Sequence, residues 1–573
     1  MTIQEAGKNK YPPLHLRCRA DGNDLIKSSR IKLFGLICGD PRASMSQKKI
    51  QVWLPLMFAV VMILGMLIGF KLRENTRSTG NFFVREKRSP LQQVLDLINL
   101  KYVDSVKIDT LADDAIQEML GHLDPHSIYI PPVELGEINE DLMGEFQGIG
   151  VEFHILNDTV NVVSVLEGGP SEKAGLVVGD QFVKVEGVSV AGKDIDGEKI
   201  KKLLRGPGAS KVELVMLRNR ELKNFTITRG SIPLPSLDAA YMITKETGLI
   251  RLNKFSKTTY EEFMQATEKL QAAGMKSMIL DLRGNGGGIL DEAVDVTDEF
   301  LDEGKLIVYT QGNKMPKEEY KSKRPGLFET GKLVVLTDEG SASASEVLAG
   351  ALQDWDRATI IGRRSFGKGL VQEQFTLADG AALRLTVARY YTPSGRSIQK
   401  AYKDKGTYRH EIMDRFNHGD FLNADSNKVQ QGSAYKTNNG RVVYGGGGIM
   451  PDVFVPYDTS AFSPALTNIY LSPSFNNYLY TYFIQHKNEL KKYKSALEFV
   501  SSFKDEEQLW QGFAAYAAKD GIKLSELSKG EKALVQKRLL AMLARQPWRT
   551  EGYYEVLNTN DPVIKKALEE LQK

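Results

Sequence analysis

K-L-V-V-L-T-D-E-G-S-A-S-A-S-E-V-L-A-G-A-L-Q-D-W, residues 332–355, runs from an apolar stretch through a Gly/Ser turn into a second apolar stretch. The first six residues predict a buried strand, and the segment from Val347 predicts a helix. The serines therefore stand at a strand-to-helix turn. Ser343 there can present its hydroxyl beside outward-pointing helix N–H groups, which stabilise negative charge such as the oxyanion formed by attack on a peptide carbonyl. The same residues also fit a plain capping box, Ser343 with Glu346. Upstream, M-I-L-D-L at 278–282 is another apolar run followed by a glycine loop and a helical stretch. This alternation over 231–400 is the pattern of βα units around a buried sheet.

A serine nucleophile needs a base. S-F-G-K-G-L-V-Q at 365–372 offers Lys368 between two glycines. A lysine serves only when neutral, which means lowering its pKa from about 10.4 towards about 7–8 by burial, at about 4 kcal/mol. A solvated or phosphate-binding lysine is the plainer reading, but no G-x-x-x-x-G-K-[ST] pattern is present. None of the seven histidines (15, 122, 126, 154, 410, 418, 486) falls within 231–400. His122 and His126 are separated by Asp124–Pro125, which breaks the helix that a zinc pair would need. H-E-x-x-H and G-x-S-x-G are absent, and S-x-x-K at Ser365/Lys368 lacks a K-T-G partner.

Together these segments resemble the carboxyl-terminal processing, or tail-specific, proteases. The resemblance spans roughly 90–455 and includes L-D-P-H-S at 123–127, D-L-R-G-N-G-G-G at 281–288, Y-Y-T-P-S-G-R-S-I at 390–398 and G-G-I-M-P-D at 447–452. It implies a serine endopeptidase in which Ser343 is the nucleophile, Lys368 the base and Gln372 the residue orienting the lysine. It also implies an oxyanion hole from the Ala344 N–H and that of Gly287 or Gly288, with Asp354 as a further accessory acid. Such an enzyme works through an acyl-enzyme, without metal or cofactor. A catalytically silent adaptor that only binds C-termini is the competing reading, and the intact Ser343, Lys368 and Gln372 argue against it.

Residues 145–230 change to short alternating runs with glycine punctuation, a small, mostly-β domain. It resembles a PDZ domain. F-Q-G-I-G-V at 146–151 matches the carboxylate-binding loop, implying that Gly148, Ile149, Gly150 and Val151 receive a free C-terminal tail that adds as an extra strand. Arg205, beside Gly206–Pro207, is a candidate contact through which this domain could hold the core active or block it.

Of 573 residues, 42% are hydrophobic and 26% charged, and the net charge is +3. That gives no reason to expect nucleic acid as a partner. The two cysteines, Cys18 and Cys38, both precede residue 52, which excludes a disulfide framework or a cysteine nucleophile from the folded body. Residues 52–70 form 19 uncharged residues, about 28 Å as a helix, and are expected to act as an uncleaved signal anchor. Met45 opens a compact basic segment directly before it, so 1–44 reads as a non-native extension.

The expected architecture is therefore multidomain α+β. An anchor at 50–70 and a tether at 71–89 precede a helical unit at 90–144 and a PDZ-like β domain at 145–230. An α/β Ser–Lys protease core follows at 231–460, with a polar insert at 401–445, and a helical region of unknown role ends the chain at 461–573. The expected partners are proteins or peptides with free C-terminal tails and the membrane, with a homo-oligomer or a regulatory adaptor in addition. The expected location is the inner membrane, single-pass, with the catalytic body on the periplasmic or extracytoplasmic side.

Overall fold

The computed structural model describes residues 47–75, 89–192, 195–402, 405–423, 432–457 and 463–573. The extension at 1–44 and most of the tether lie outside them. The chain divides into two units, Met1–Ser105 and Val106–Lys573.

In the first unit the expected anchor falls in the helix Gln47–Asn75, and Pro90–Lys101 forms a second helix behind a Ser89 cap. Apolar side chains of the first helix are exposed, Phe58 and Met66 by two thirds. Among the described residues no helix is long and apolar enough to cross a membrane.

The second unit is built on a six-stranded sheet, ordered Leu237–Met242, Thr247–Leu252, Ser277–Asp281, Lys332–Thr337, Thr359–Gly362 and Val453–Phe454. All pairings but the first are parallel. A parallel sheet is covered on both faces, which is why its strands read as continuous apolar runs. Leu252, Leu280 and Val335 face a core shared with Phe263, Phe300 and Leu348 of the helices and loops on one side. Leu249, Ile279 and Leu336 face the other side, where Val563, Ile564 and Ala567 of the terminal helix Pro562–Gln572 close the layer. The helical 461–573 region thus contributes its last helix to the protease core.

A second sheet orders Ile128–Ile130, Ala382–Tyr391, Leu306–Gln311 and Glu318–Lys321, with Leu370–Thr376 also paired to Ala382–Tyr391. Its first strand comes from the segment expected to be a separate helical unit. The insert at 401–445, expected to be loop, contains the helix Lys405–Asn417 and a short hairpin, Ala434–Lys436 with Val442–Tyr444. Its polar sequence hides this because its buried contacts include charged groups, such as Arg415 donating to the carbonyls of Arg364 and Ser365.

Residues 151–228 form an antiparallel sheet, ordered Val151–Leu156, Thr159–Val165, Gln181–Val185, Lys211–Arg218 and Glu221–Thr228, closed by the helix Gly197–Leu204. Phe182, Leu214, Ile200 and Ile227 are its core. Entry and exit pair with each other, Glu145–Gly148 against Gly230–Pro233.

Candidate active site and tail cleft

Three serines stand in the turn before the helix Ala344–Asp354, and burial separates them. Ser341 and Ser345 are fully buried, donating to the carbonyls of Leu282 (2.8 Å) and Asn285 (2.9 Å). Ser343 alone of the three is part-exposed, at the mouth of a cleft of about 840 Å³. Its φ of 56° and ψ of −115° lie where a residue with a Cβ is strained, so the surrounding structure must hold it there.

Glu346 does much of that holding. Its buried carboxylate accepts from the Ser343 N–H (2.8 Å), the Ser365 hydroxyl (2.5 Å), the Gly367 N–H (2.7 Å) and the Lys368 N–H (2.8 Å). One side chain therefore clamps the serine turn to the lysine turn. Burial raises its pKa to about 7 against these four donors. The Tyr390 hydroxyl adds a second brace, within reach of the carbonyls of Ser343 (3.0 Å) and Lys368.

Lys368 lines the same cleft as Ser343. Its pKa is lowered, first by burial and then by the Arg384 charge, while Glu346 and Asp124 oppose the shift. Gln372 also lines the cleft, but its amide donates to the Leu370 carbonyl (3.2 Å) and the Thr386 hydroxyl (3.4 Å), not to the lysine. Thr386 in turn donates to Asp124 of the 123–127 motif, which binds this N-terminal loop to the lysine hairpin.

Gly287 and Gly288 form the opposite wall. A Cβ on Gly287 would stand 2.7 Å from the Ala342 carbonyl, and one on Gly288 would stand 2.0 Å from that of Phe255. Only glycine lets this loop lie so close to the serine turn. The Gly287 N–H is already committed to Asn285 Oδ1 at 2.9 Å.

Asp354 is not among the residues lining the cleft. It is buried at the far end of the serine helix, paired with Arg396 at 2.8 Å, and accepts the Ser394 N–H. The accessory acid expected from the resemblance is, in this geometry, a support for the 390–398 turn. Glu346 and Tyr390 were not singled out from the sequence as site residues. The capping-box spacing is the visible trace of Glu346, and Tyr390 opens the 390–398 motif, which gives no sign that its hydroxyl braces the two turns.

A second cleft, of about 460 Å³, runs beside the edge strand Val151–Leu156 and includes Gly148, Ile149, Gly150 and Val151. The loop's carbonyls turn into the domain: Ile149 accepts from Ser171 and Gly150 from Leu166. Arg205 lines this cleft, stacks on Phe146 (4.6 Å) and pairs with Glu140 at 3.0 Å. Glu140 lies on the helix Pro132–Met143, whose Asn139, Asp141 and Leu142 line the serine cleft. Among the described residues no cluster could hold a metal ion.

Residues 246–406 match peptidase family S41, 162–218 a PDZ domain, and 465–549 a family of unknown function, DUF8443. The chain is 38% identical over 313 residues to the "Carboxy-terminal-processing protease" of Bartonella bacilliformis, covering 53% of this chain and 71% of that one. It is 33% identical to the "Probable CtpA-like serine protease" of Staphylococcus epidermidis, covering 62% of this chain and 73% of that one. Among solved structures, the photosystem II D1 C-terminal processing protease aligns at 28% identity and a TM-score of 0.33, covering 64% of this chain and 86% of that one. The chain belongs to the carboxy-terminal-processing proteases, serine-type peptidases of family S41 that carry a PDZ domain.

Proposed function

We propose that this chain is a tail-specific endopeptidase that cleaves through a Ser343–Lys368 dyad. The observation that carries the reading is the Glu346 clamp, which ties the one part-exposed serine of its turn to a half-buried lysine of lowered pKa. The substrate's C-terminal carboxylate meets the N–H groups at 149–151, and its last residues add as a strand along Val151–Leu156. A preceding segment enters the serine cleft. Neutral Lys368 takes the Ser343 proton as the hydroxyl oxygen attacks the carbonyl carbon. The oxyanion is met by the Ala344 N–H at the helix start and the Gly288 N–H, since that of Gly287 is committed. The protonated lysine gives its proton to the leaving amine. Water then hydrolyses the acyl-enzyme, and Gln372 supports the lysine loop from the hairpin.

The same proposal keeps the chain at the inner membrane through the uncharged sequence run 52–70, with the catalytic body on the periplasmic or extracytoplasmic side. The absence of charge over those 19 residues supports this. An active-serine fluorophosphonate probe tests the chemistry. It should label the wild type and fail on Ser343→Ala with tail binding retained; undiminished labelling of that variant would refute the nucleophile.

A further inference from the structure

The long helix Lys529–Asn558 belongs to the region without an assigned role. It is interrupted after Pro547, where Trp548 and Arg549 leave helical geometry and Arg549 takes a φ of 56°. The interruption brings Arg549 onto the PDZ sheet, donating to the Ser164 hydroxyl and to the Val165 carbonyl (2.7 Å). Ser164 and Val165 lie directly across from Glu152 and Val151 of the edge strand. One helical turn earlier, Arg545 stands 3.3 Å from Glu152 and lines the tail cleft.

On this strand Val151 and Phe153 pack toward the domain core, while Glu152 and His154 are exposed on the opposite face. A tail added beside the strand alternates in the same way. If its last side chain points toward the core face, the second and fourth from the end point toward Glu152, His154 and Arg545. The other cations of the cleft are engaged: Arg205 by Glu140, and Lys201 by Glu198 at 2.6 Å. Arg545 has one carboxylate neighbour for five N–H donors and keeps about a third of its side chain exposed.

We infer that the C-terminal helical region completes the tail-binding cleft, and that Arg545 selects substrates with an acidic side chain second or fourth from the C-terminus. This rests on reading the 148–151 cleft as the tail site. Arg549 ties the helix to the strand next to the edge strand, and Arg545, one turn earlier, reaches the edge strand itself through Glu152. Glu152 engages one edge of the guanidinium and by itself would repel an acidic side chain, so a preference for acid can come only from the remaining donors of Arg545.

The test uses the full chain carrying Ser343→Ala and fluorescent peptides with an apolar last residue, bearing Glu, Gln or Lys at the second or fourth position from the end. Binding is read by fluorescence anisotropy, with the Gln peptide made both as free acid and as carboxamide. A partly exposed ion pair should favour Glu over Gln by about five-fold. Arg545→Gln should bring the two within about two-fold, and Arg545→Glu should favour Lys, while the Gln free acid binds all three proteins alike. A Glu preference that survives Arg545→Gln, or is absent from the Arg545 protein, overturns the inference while leaving the tail site standing. Equal binding of acid and carboxamide refutes the tail site itself, and the inference with it.

Discussion

Replacing Glu346 with Gln is a near-isosteric change at the point where the serine turn and the lysine turn meet. One carboxylate oxygen accepts from Ser365 Oγ and the Gly367 N–H, the other from the Ser343 and Lys368 N–H groups. A glutamine can offer its oxygen to only one pair. Its least costly orientation keeps Ser343 and Lys368 satisfied and turns the NH2 toward Ser365, whose hydroxyl can rotate to accept. The Gly367 N–H is then left facing a donor. One buried unsatisfied donor costs about 1–3 kcal/mol, so if that strain falls on the lysine turn, kcat/KM should drop roughly 5- to 150-fold.

Global stability should behave differently. Burial raises the Glu346 pKa from 4.5 to about 7, so the folded state binds this proton more tightly than the unfolded chain does. The stabilisation this brings is complete below pH 4.5 and is lost as pH rises through 7, a swing on the order of 3 kcal/mol. Glu346→Gln removes that dependence. The wild type should therefore lose stability relative to the variant between pH 4.5 and 7. The assay pairs kcat/KM on a tailed peptide with urea unfolding at several pH values. Full activity in the variant would refute the clamp, and parallel stability curves for the two proteins would refute the raised pKa.

Lys368→Arg should be nearly as inactive as Lys368→Ala, because arginine does not surrender its proton in a protein; wild-type turnover by the arginine variant would exclude a lysine base. Since burial and Arg384 lower the Lys368 pKa, kcat/KM should rise with pH as the lysine loses its proton below its ordinary value, and a flat profile from pH 6 to 9 would count against this role. Ser345→Ala should keep measurable turnover while losing about 1 kcal/mol of stability from its bond to Asn285; loss of probe labelling in a folded Ser345→Ala protein would contradict the division of roles in the serine turn. A substrate tail ending in carboxamide should be cleaved roughly 30- to 150-fold less efficiently below saturation, because two charge-assisted bonds at the 149–151 loop are weakened; equal rates would show that this loop does not read the tail.

The buried strands were readable without coordinates because a parallel sheet covered on both faces demands unbroken apolar runs, and Ser277–Asp281 and Lys332–Thr337 are such runs. Ser343 and Lys368 stand out as candidates because the family's motifs recur here in order; either turn alone also fits a plainer reading, a helix cap or a solvated lysine. Other features depended on packing between residues far apart in the chain. Glu346 has the same capping-box spacing whether it merely ends a helix or also receives the lysine turn, and only the arrival of Ser365, Gly367 and Lys368 distinguishes the two. Asp354 looked like an accessory acid until Arg396, 42 positions later, was found to occupy its carboxylate. Arg545 carries no sequence signal at all, because its meaning comes from an interrupted helix that carries it to Glu152, nearly four hundred residues earlier. Local sequence determined the strands, the caps and the chemistry available in each turn, since these depend on neighbours within a few residues. Tertiary structure alone decided which of those groups face one another, because desolvation and hydrogen-bond partnership are set by whatever the rest of the chain brings alongside.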